Sequence, residues 1–192
     1  MSQTLLEAGI RPEDQALSEP IMGWRVWTLH SNRRHTELRM RPIAGNAPPW
    51  PPLEPARARC TRRRWHRGPE PTCTCGLHAT RDPGMLHRAR NPAVIGTVAL
   101  WGRVVEHELG YRSEFAYPQR LMLVCHLCFW LWGPSRSAAR EVVRLRGGRL
   151  VPLCDEHVQL SRRYGYPARR FAGASEVEIA LLSTYAVDLL RV

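Results

Sequence analysis

Lysine is missing altogether: the 192 residues carry 28 basic side chains, and every one is arginine. Acids are scarce beside them, at 17, which leaves a formal net charge of +11. A codon bias toward arginine accounts for the choice between the two bases but not for the shortage of acids. A positive field of this size attracts phosphate polyanions or an acidic protein partner, and the planar guanidinium suits either because it grips phosphate and carboxylate through paired bonds. Long apolar runs are missing too. The longest, Leu121 to Trp132, falls short of the roughly 18 residues a membrane helix needs. The first residues lack a basic start followed by an apolar core, so no secretion signal is read. Hydrophobic residues nevertheless make up 44%, enough to exclude wholesale disorder. The expectation is a cytoplasmic globular protein with no membrane partner.

Six cysteines fall into two groups of three, each with histidines in range. In a reducing compartment such groups are weighed as metal ligands before disulfides. Cys125-His-Leu-Cys128 and Cys154-Asp-Glu-His157 have the composition of a closed structural zinc site. Between them, Glu141 to Arg146 and Arg149 to Leu153 flank Gly147-Gly148, a two-residue hairpin turn. A helix from Asp155 to Tyr164, stopped by Gly165, follows. Knuckle, hairpin and a helix whose first turn supplies the last ligands resemble a treble clef. His126, inside the knuckle, is read as a bystander, and Trp130 and Trp132 as packing beneath the metal.

The first group is Cys60 with Cys73-Thr-Cys75. Two sulfurs two residues apart point to one side of an extended chain and can share an ion. The fourth ligand is open among His66, His78, His87 and His107; His66 is favoured because it lies between the cysteines. Two zinc ions are therefore expected.

The fold class expected is α+β: a β-rich N-terminal zinc domain, a treble-clef-like zinc module and a C-terminal helix. Residues 1–20 read as a flexible arm or short helix, 21–120 as the β-rich domain, 121–170 as the module and 171–192 as the helix. Gly23 to His30 and Thr36 to Ile43 alternate as strands of a hairpin turned at Ser31 to Arg34, with Trp27, Leu29, Leu38 and Met40 facing inward. Prolines around Trp50 make a stiff extended connection. Ala93 to Val105 is β-rich, with bulges or close backbone approach at Gly96 and Gly102, and Tyr111 to Tyr117 is a strand ending at Pro118. Ser175-Glu-Val-Glu178 is a capping-box start for a helix running almost to Val192. Its apolar face, with Val177, Leu181, Leu182, Tyr185, Leu189 and Leu190, serves core packing or a homodimer.

Gly23-Trp24-Arg25, Trp50-Pro-Pro, Cys60, His66, Cys73-Thr-Cys75-Gly-Leu-His-Ala79, Gly96-Thr-Val-Ala-Leu-Trp-Gly-Arg-Val and Gly110-Tyr-Arg112-Ser-Glu114-Phe-Ala-Tyr-Pro118 together resemble a pattern of small, mostly uncharacterised actinobacterial zinc-binding proteins. The likeness spans about residues 22 to 121, and in that pattern the three cysteines recur with His66. It implies no activity, and the Cys125 to His157 segment reads as an appended module.

Arg62, Arg63, Arg64 and Arg67 surround Trp65 within the first metal loop, an arrangement suited to phosphates and stacked bases. Arg144, Arg146 and Arg149 lie on the second hairpin, and Arg162 and Arg163 on the helix after it. No groove-reading motif accompanies them. The function expected is a non-catalytic zinc protein that binds nucleic acid, or a nucleic-acid-associated assembly, in a regulatory role. A protein–protein adaptor for an acidic partner is the alternative. An enzyme is the weakest reading: Glu106, His107, Glu108 and Glu114 offer an acid and a base, and Cys-Gly-Leu-His-Ala faintly resembles a motif of ADP-ribosyltransferase-like folds, with Glu114 as the carboxylate.

Overall fold

The computed structural model describes residues 19–32, 37–43, 47–62, 66–87, 89–134, 138–163 and 169–191. The N-terminal arm up to residue 18, residues 33 and 34 of the first turn, Arg63, Arg64 and Trp65, and the helix stop at Tyr164 and Gly165 lie outside them.

The described chain is a mixed structure with one ten-stranded sheet and three α-helices. Strand β1 (Ile21–Ser31) pairs antiparallel with β2 (Leu38–Pro42), setting Leu29 opposite Met40 and Ser31 opposite Leu38. Period-two alternation buries Trp27, Leu29, Leu38 and Met40, as the sequence leads one to expect. Short strands β3 (Ala56–Arg57) and β4 (Leu77–Thr80) follow. The long hairpin β5 (Val94–His107) and β6 (Gly110–Leu123) forms the body of the sheet. Pairings run from β1 to β5, β5 to β6, β6 to β4 and β4 back to β1, so this part of the sheet closes on itself.

β6 does not stop at Pro118. Thr97 pairs with Arg120 but Val98 pairs with Pro118, so Gln119 is an extra residue in a bulge. Proline has no N–H to give to a ladder, and beside a bulge it does not interrupt one. Gly96 lies just before this irregularity. A Cβ there would come within 2.2 Å of the Arg120 carbonyl oxygen, so the two backbones approach as only glycine permits.

Helix α1 (His126–Trp132) leads away from β6. Strands β7 (Glu141–Arg144) and β8 (Arg149–Leu153) make the second hairpin. Its loop is three residues, Arg146–Gly148, rather than the expected two. The Leu145 amide donates to the Arg149 carbonyl at 2.9 Å, and Gly147 and Gly148 both take positive φ, at 84° and 82°. Because β8 also pairs with β1 (Leu29 opposite Leu150), this hairpin belongs to the same sheet. Helix α2 (Asp155–Arg163) and strand β9 (Arg169–Gly173) follow, β9 pairing with β7.

Helix α3 (Ala174–Tyr185) departs from its expected start and end. Gly173, not Ser175, is its N-cap, and no side chain caps it. Glu178 is drawn instead to the sheet, where it accepts the Leu123 amide at 2.9 Å. The helix ends at Ala186 in the left-handed region, with Val187 donating to the Leu182 carbonyl in a Schellman-type close. Strand β10 (Asp188–Leu189) then runs parallel to β6. Val177, Leu181 and Tyr185 are buried in the main core with Trp27, Met40 and Trp50, so that helix face is covered by the chain's own sheet. No helix among the described residues is long and apolar enough to cross a membrane.

Candidate metal centres

The first group is assembled from loops that lean on β6. The Ala58 amide donates to the Glu114 carbonyl at 2.7 Å, placing Cys60 just beyond the β3–β6 pairing. A turn in which the Cys73 amide donates to the Glu70 carbonyl at 3.0 Å brings the Cys73-Thr-Cys75 pair into β4. Arg112 on β6 reaches under this loop, its Nη1 donating to the carbonyls of Glu70, Cys73 and Cys75. Sequence reasoning did not single out Arg112 for this; its place in the Gly-Tyr-Arg motif was the available signal.

Cys60, His66, Cys73 and Cys75 each present one ligand atom within 4.8 Å of the others. The Cys60 and Cys73 sulfurs are 3.8 Å apart, and His66 Nε2 is 3.3 Å from the Cys75 sulfur. Zn–S and Zn–N bonds of 2.3 and 2.0–2.1 Å put tetrahedral ligand atoms about 3.8 Å apart for two sulfurs and about 3.6 Å for sulfur and nitrogen. The donor set and spacing therefore fit a tetrahedral ion. His66, not His78, joins the group. The His78 Nε2 lies 3.0 Å from the Thr74 carbonyl, which accepts a hydrogen bond from it.

The second group is built on two helix starts. Cys125 is the N-cap of α1 and Cys128 lies in its first turn, so the segment between them is helical rather than a tight knuckle. Cys154 immediately precedes α2, with the Val158 amide donating to its carbonyl at 2.9 Å, and His157 lies in that first turn. The His157 Nδ1 sits 3.4, 3.4 and 3.2 Å from the sulfurs of Cys125, Cys128 and Cys154, and the Cys128 and Cys154 sulfurs are 3.6 Å apart. Cys125 and Cys128 are buried against Val143, Val151, Leu153 and Val158. Burial, reinforced by the neighbouring thiols, pushes Cys128 up to about 12 and raises Cys125 as well. A cation is what would make thiolates of such groups, and metal binding there displaces protons. Both groups thus offer four protein donors of the kind that close a metal's coordination sphere.

His126 is outside the ligand set. It lines a cavity of about 330 Å³ with Leu145, Arg149 and Leu160, and burial, with Arg149 and His157 nearby, lowers it to about 4. Trp130 and Trp132 do not pack beneath the metal: they are 63% and 62% exposed. The seven-residue α1 has a single inward face, taken by Cys128 and Phe129, which leaves the two tryptophans on the outer side.

Of the basic residues singled out from the sequence, Arg62 and Arg67 are exposed beside the first group, as is Arg59. On the second hairpin Arg146 is exposed while Arg144 and Arg149 are half-buried, Arg149 donating to the Asn91 carbonyl at 3.4 Å. Arg163 is exposed, whereas Arg162 pairs with Glu141 at 3.1 Å. Two of the carboxylates weighed for catalysis are engaged in ion pairs, Glu106 with Arg81 and Glu114 with Arg57. No family model, curated protein or solved structure matches this chain.

Proposed function

We propose that this is a non-catalytic zinc protein that binds nucleic acid through the arginine-rich loop of its first metal group, in a regulatory role. Two Cys3His groups with closed, zinc-like spacing favour structural metal over a reactive one. The short helix, hairpin and second helix around Cys125 to His157 suit a treble-clef-like arrangement, and the likeness to actinobacterial zinc proteins points the same way. The observation that carries the nucleic-acid reading is the clustering of unpaired charge on one short loop. Arg59, Arg62 and Arg67 stand exposed on the loop that bears Cys60 and His66, with no acidic partner among the described residues, whereas Arg57, Arg81, Arg103 and Arg162 are each paired. A metal-anchored loop presents that charge with little ordering cost.

The test is the salt dependence of binding to short labelled DNA and RNA. Affinity falls with salt on a log–log slope of several units if the loop displaces counterions from phosphates. Charge reversal at Arg62 and Arg67 lowers the slope without releasing zinc. A wild-type protein indifferent to nucleic acid at low salt would overturn the reading. A second reading, a protein–protein adaptor, is favoured by the exposed Leu127, Trp130, Leu131 and Trp132 on α1, an apolar surface of the kind that contacts other proteins.

A further inference from the structure

A cleft of about 730 Å³ opens between β1, β4 and the proline-rich connection around Trp50. Its volume is within the range of small-molecule sites. Trp24, Ile43, Pro49, Leu77 and Leu109 give it apolar walls, while Arg25, Arg57, Arg59, His78 and His107 supply charge and hydrogen bonds. No acidic residue among the described ones lines it.

Arg25 is held in place before any ligand arrives. Its guanidinium lies over the Trp50 ring, 5.1 Å from the ring centre, and its Nη1 donates to the His78 carbonyl. Trp50 is itself fixed, buried edge-on against Trp27 at 5.2 Å. The opposite edge of the guanidinium is idle. Among the described residues Nε is buried with no hydrogen-bond partner, and the guanidinium's hydrogen bond to protein runs from Nη1. Burial lowers Arg25 only to about 10, so it stays cationic at neutral pH. An unsatisfied buried donor on a cation is costly, and the Nε–Nη2 edge is a fork that takes an anion's two oxygens. Arg59, exposed and without an acidic partner among the described residues, adds a second positive charge at the rim. Two cations suit a phosphate better than a carboxylate, and Trp24 offers the flat face on which a base stacks.

We propose that this cleft binds a nucleoside phosphate, with the phosphate on the Nε–Nη2 edge of Arg25 and the base against Trp24 and the proline wall. The phosphate belongs either to a free nucleotide or to the end of a strand. The inference goes beyond the arginine-loop reading, because the site is a cleft around Arg25 that shares Arg59 with that loop but does not use Arg62 or Arg67.

The experiment is calorimetric titration of the zinc-loaded full chain with adenosine 5′-monophosphate and with adenosine. The monophosphate is expected to bind at least about tenfold more tightly than the nucleoside. Arg25→Gln is expected to cost about tenfold or more in monophosphate affinity at unchanged zinc content. Leu109→Trp, at an exposed turn on the cleft wall, fills the cleft without touching the core and is expected to abolish binding. A 5′-phosphorylated tetranucleotide that outcompetes the monophosphate identifies a strand end; the reverse order identifies a free nucleotide. No monophosphate binding at millimolar concentration, equal affinity for adenosine, or indifference to both variants would overturn the proposal. The two readings fail separately: charge reversal at Arg62 and Arg67 leaves monophosphate binding intact, and Arg25→Gln leaves intact the salt slope on longer strands that lack a terminal phosphate.

Discussion

The Tyr185 hydroxyl donates to the Trp50 carbonyl at 3.0 Å and accepts from the Met40 amide at 3.0 Å, so one buried phenol joins α3, the proline-rich connection and β2. Tyr117 repeats the device, taking the Leu53 amide at 3.2 Å and donating to the Tyr185 carbonyl. Tyr185→Phe leaves a buried amide and a buried carbonyl without that partner. It is expected to lower unfolding free energy by about 1–3 kcal/mol, read from urea denaturation. Because Trp50 backs Arg25, the same variant is expected to weaken nucleoside phosphate binding as well.

Elemental analysis of undenatured protein is expected to give close to two zinc ions per chain. Cys154→Ser removes one and Cys73→Ser the other. Structural zinc contributes about 10–16 kcal/mol in small zinc domains, which is of the order of a whole domain's stability. Loss of either ion is therefore expected to unfold its surroundings, seen as lost amide protection near the vacated ligands. Folded protein that is free of zinc and melts unchanged after chelation would refute both assignments.

Gly96→Ala tests the close approach of β5 and β6. The new methyl group would lie 2.2 Å from the Arg120 carbonyl oxygen and 2.7 Å from the Leu121 Cδ2. Backbone on one side cannot yield as a side chain does, so the cost is expected at about 3 kcal/mol, the upper part of the usual range for overpacking. A melting temperature unchanged from wild type would show that the two strands are further apart than described.

His30 and His78 set a pH dependence. Burial lowers both below the usual 6.5, helped by Arg41 and Arg149 at His30 and by Arg25, Arg112 and His107 at His78. A histidine with a depressed folded value binds its proton more readily when unfolded. Its contribution to stability is thus whole above 6.5 and is lost as pH falls below that value toward the folded one. Melting temperature is expected to drop on acidification from pH 7 to 5, and His30→Gln to flatten that drop. Parallel curves for variant and wild type would contradict the assignment.

Residue order alone brought out the Cys125, Cys128, Cys154 and His157 set, the three cysteines of the first group, the first hairpin and the glycine at Gly96. Those features are written in local spacing: sulfurs two or three residues apart, alternation of Trp27 with Leu29, a residue without Cβ in an apolar run. The same local signals misled at Pro118, which the bulge at Gln119 accommodates, and at Ser175, because a cap depends on where the chain enters the helix. They misled again at Trp130 and Trp132, where a short helix had only one face to bury. Tertiary structure decided the rest. Only the folded chain brings His66, and not His78, beside Cys60, Cys73 and Cys75. The cleft, whose lining runs from Trp24 to Leu109, could not be read from the Gly23-Trp24-Arg25 and Trp50-Pro-Pro motifs, because nothing local shows that Arg25 and Trp50 meet. Its idle guanidinium edge exists because β1 packs that residue over Trp50, and long-range packing is what fixes which buried donors find partners.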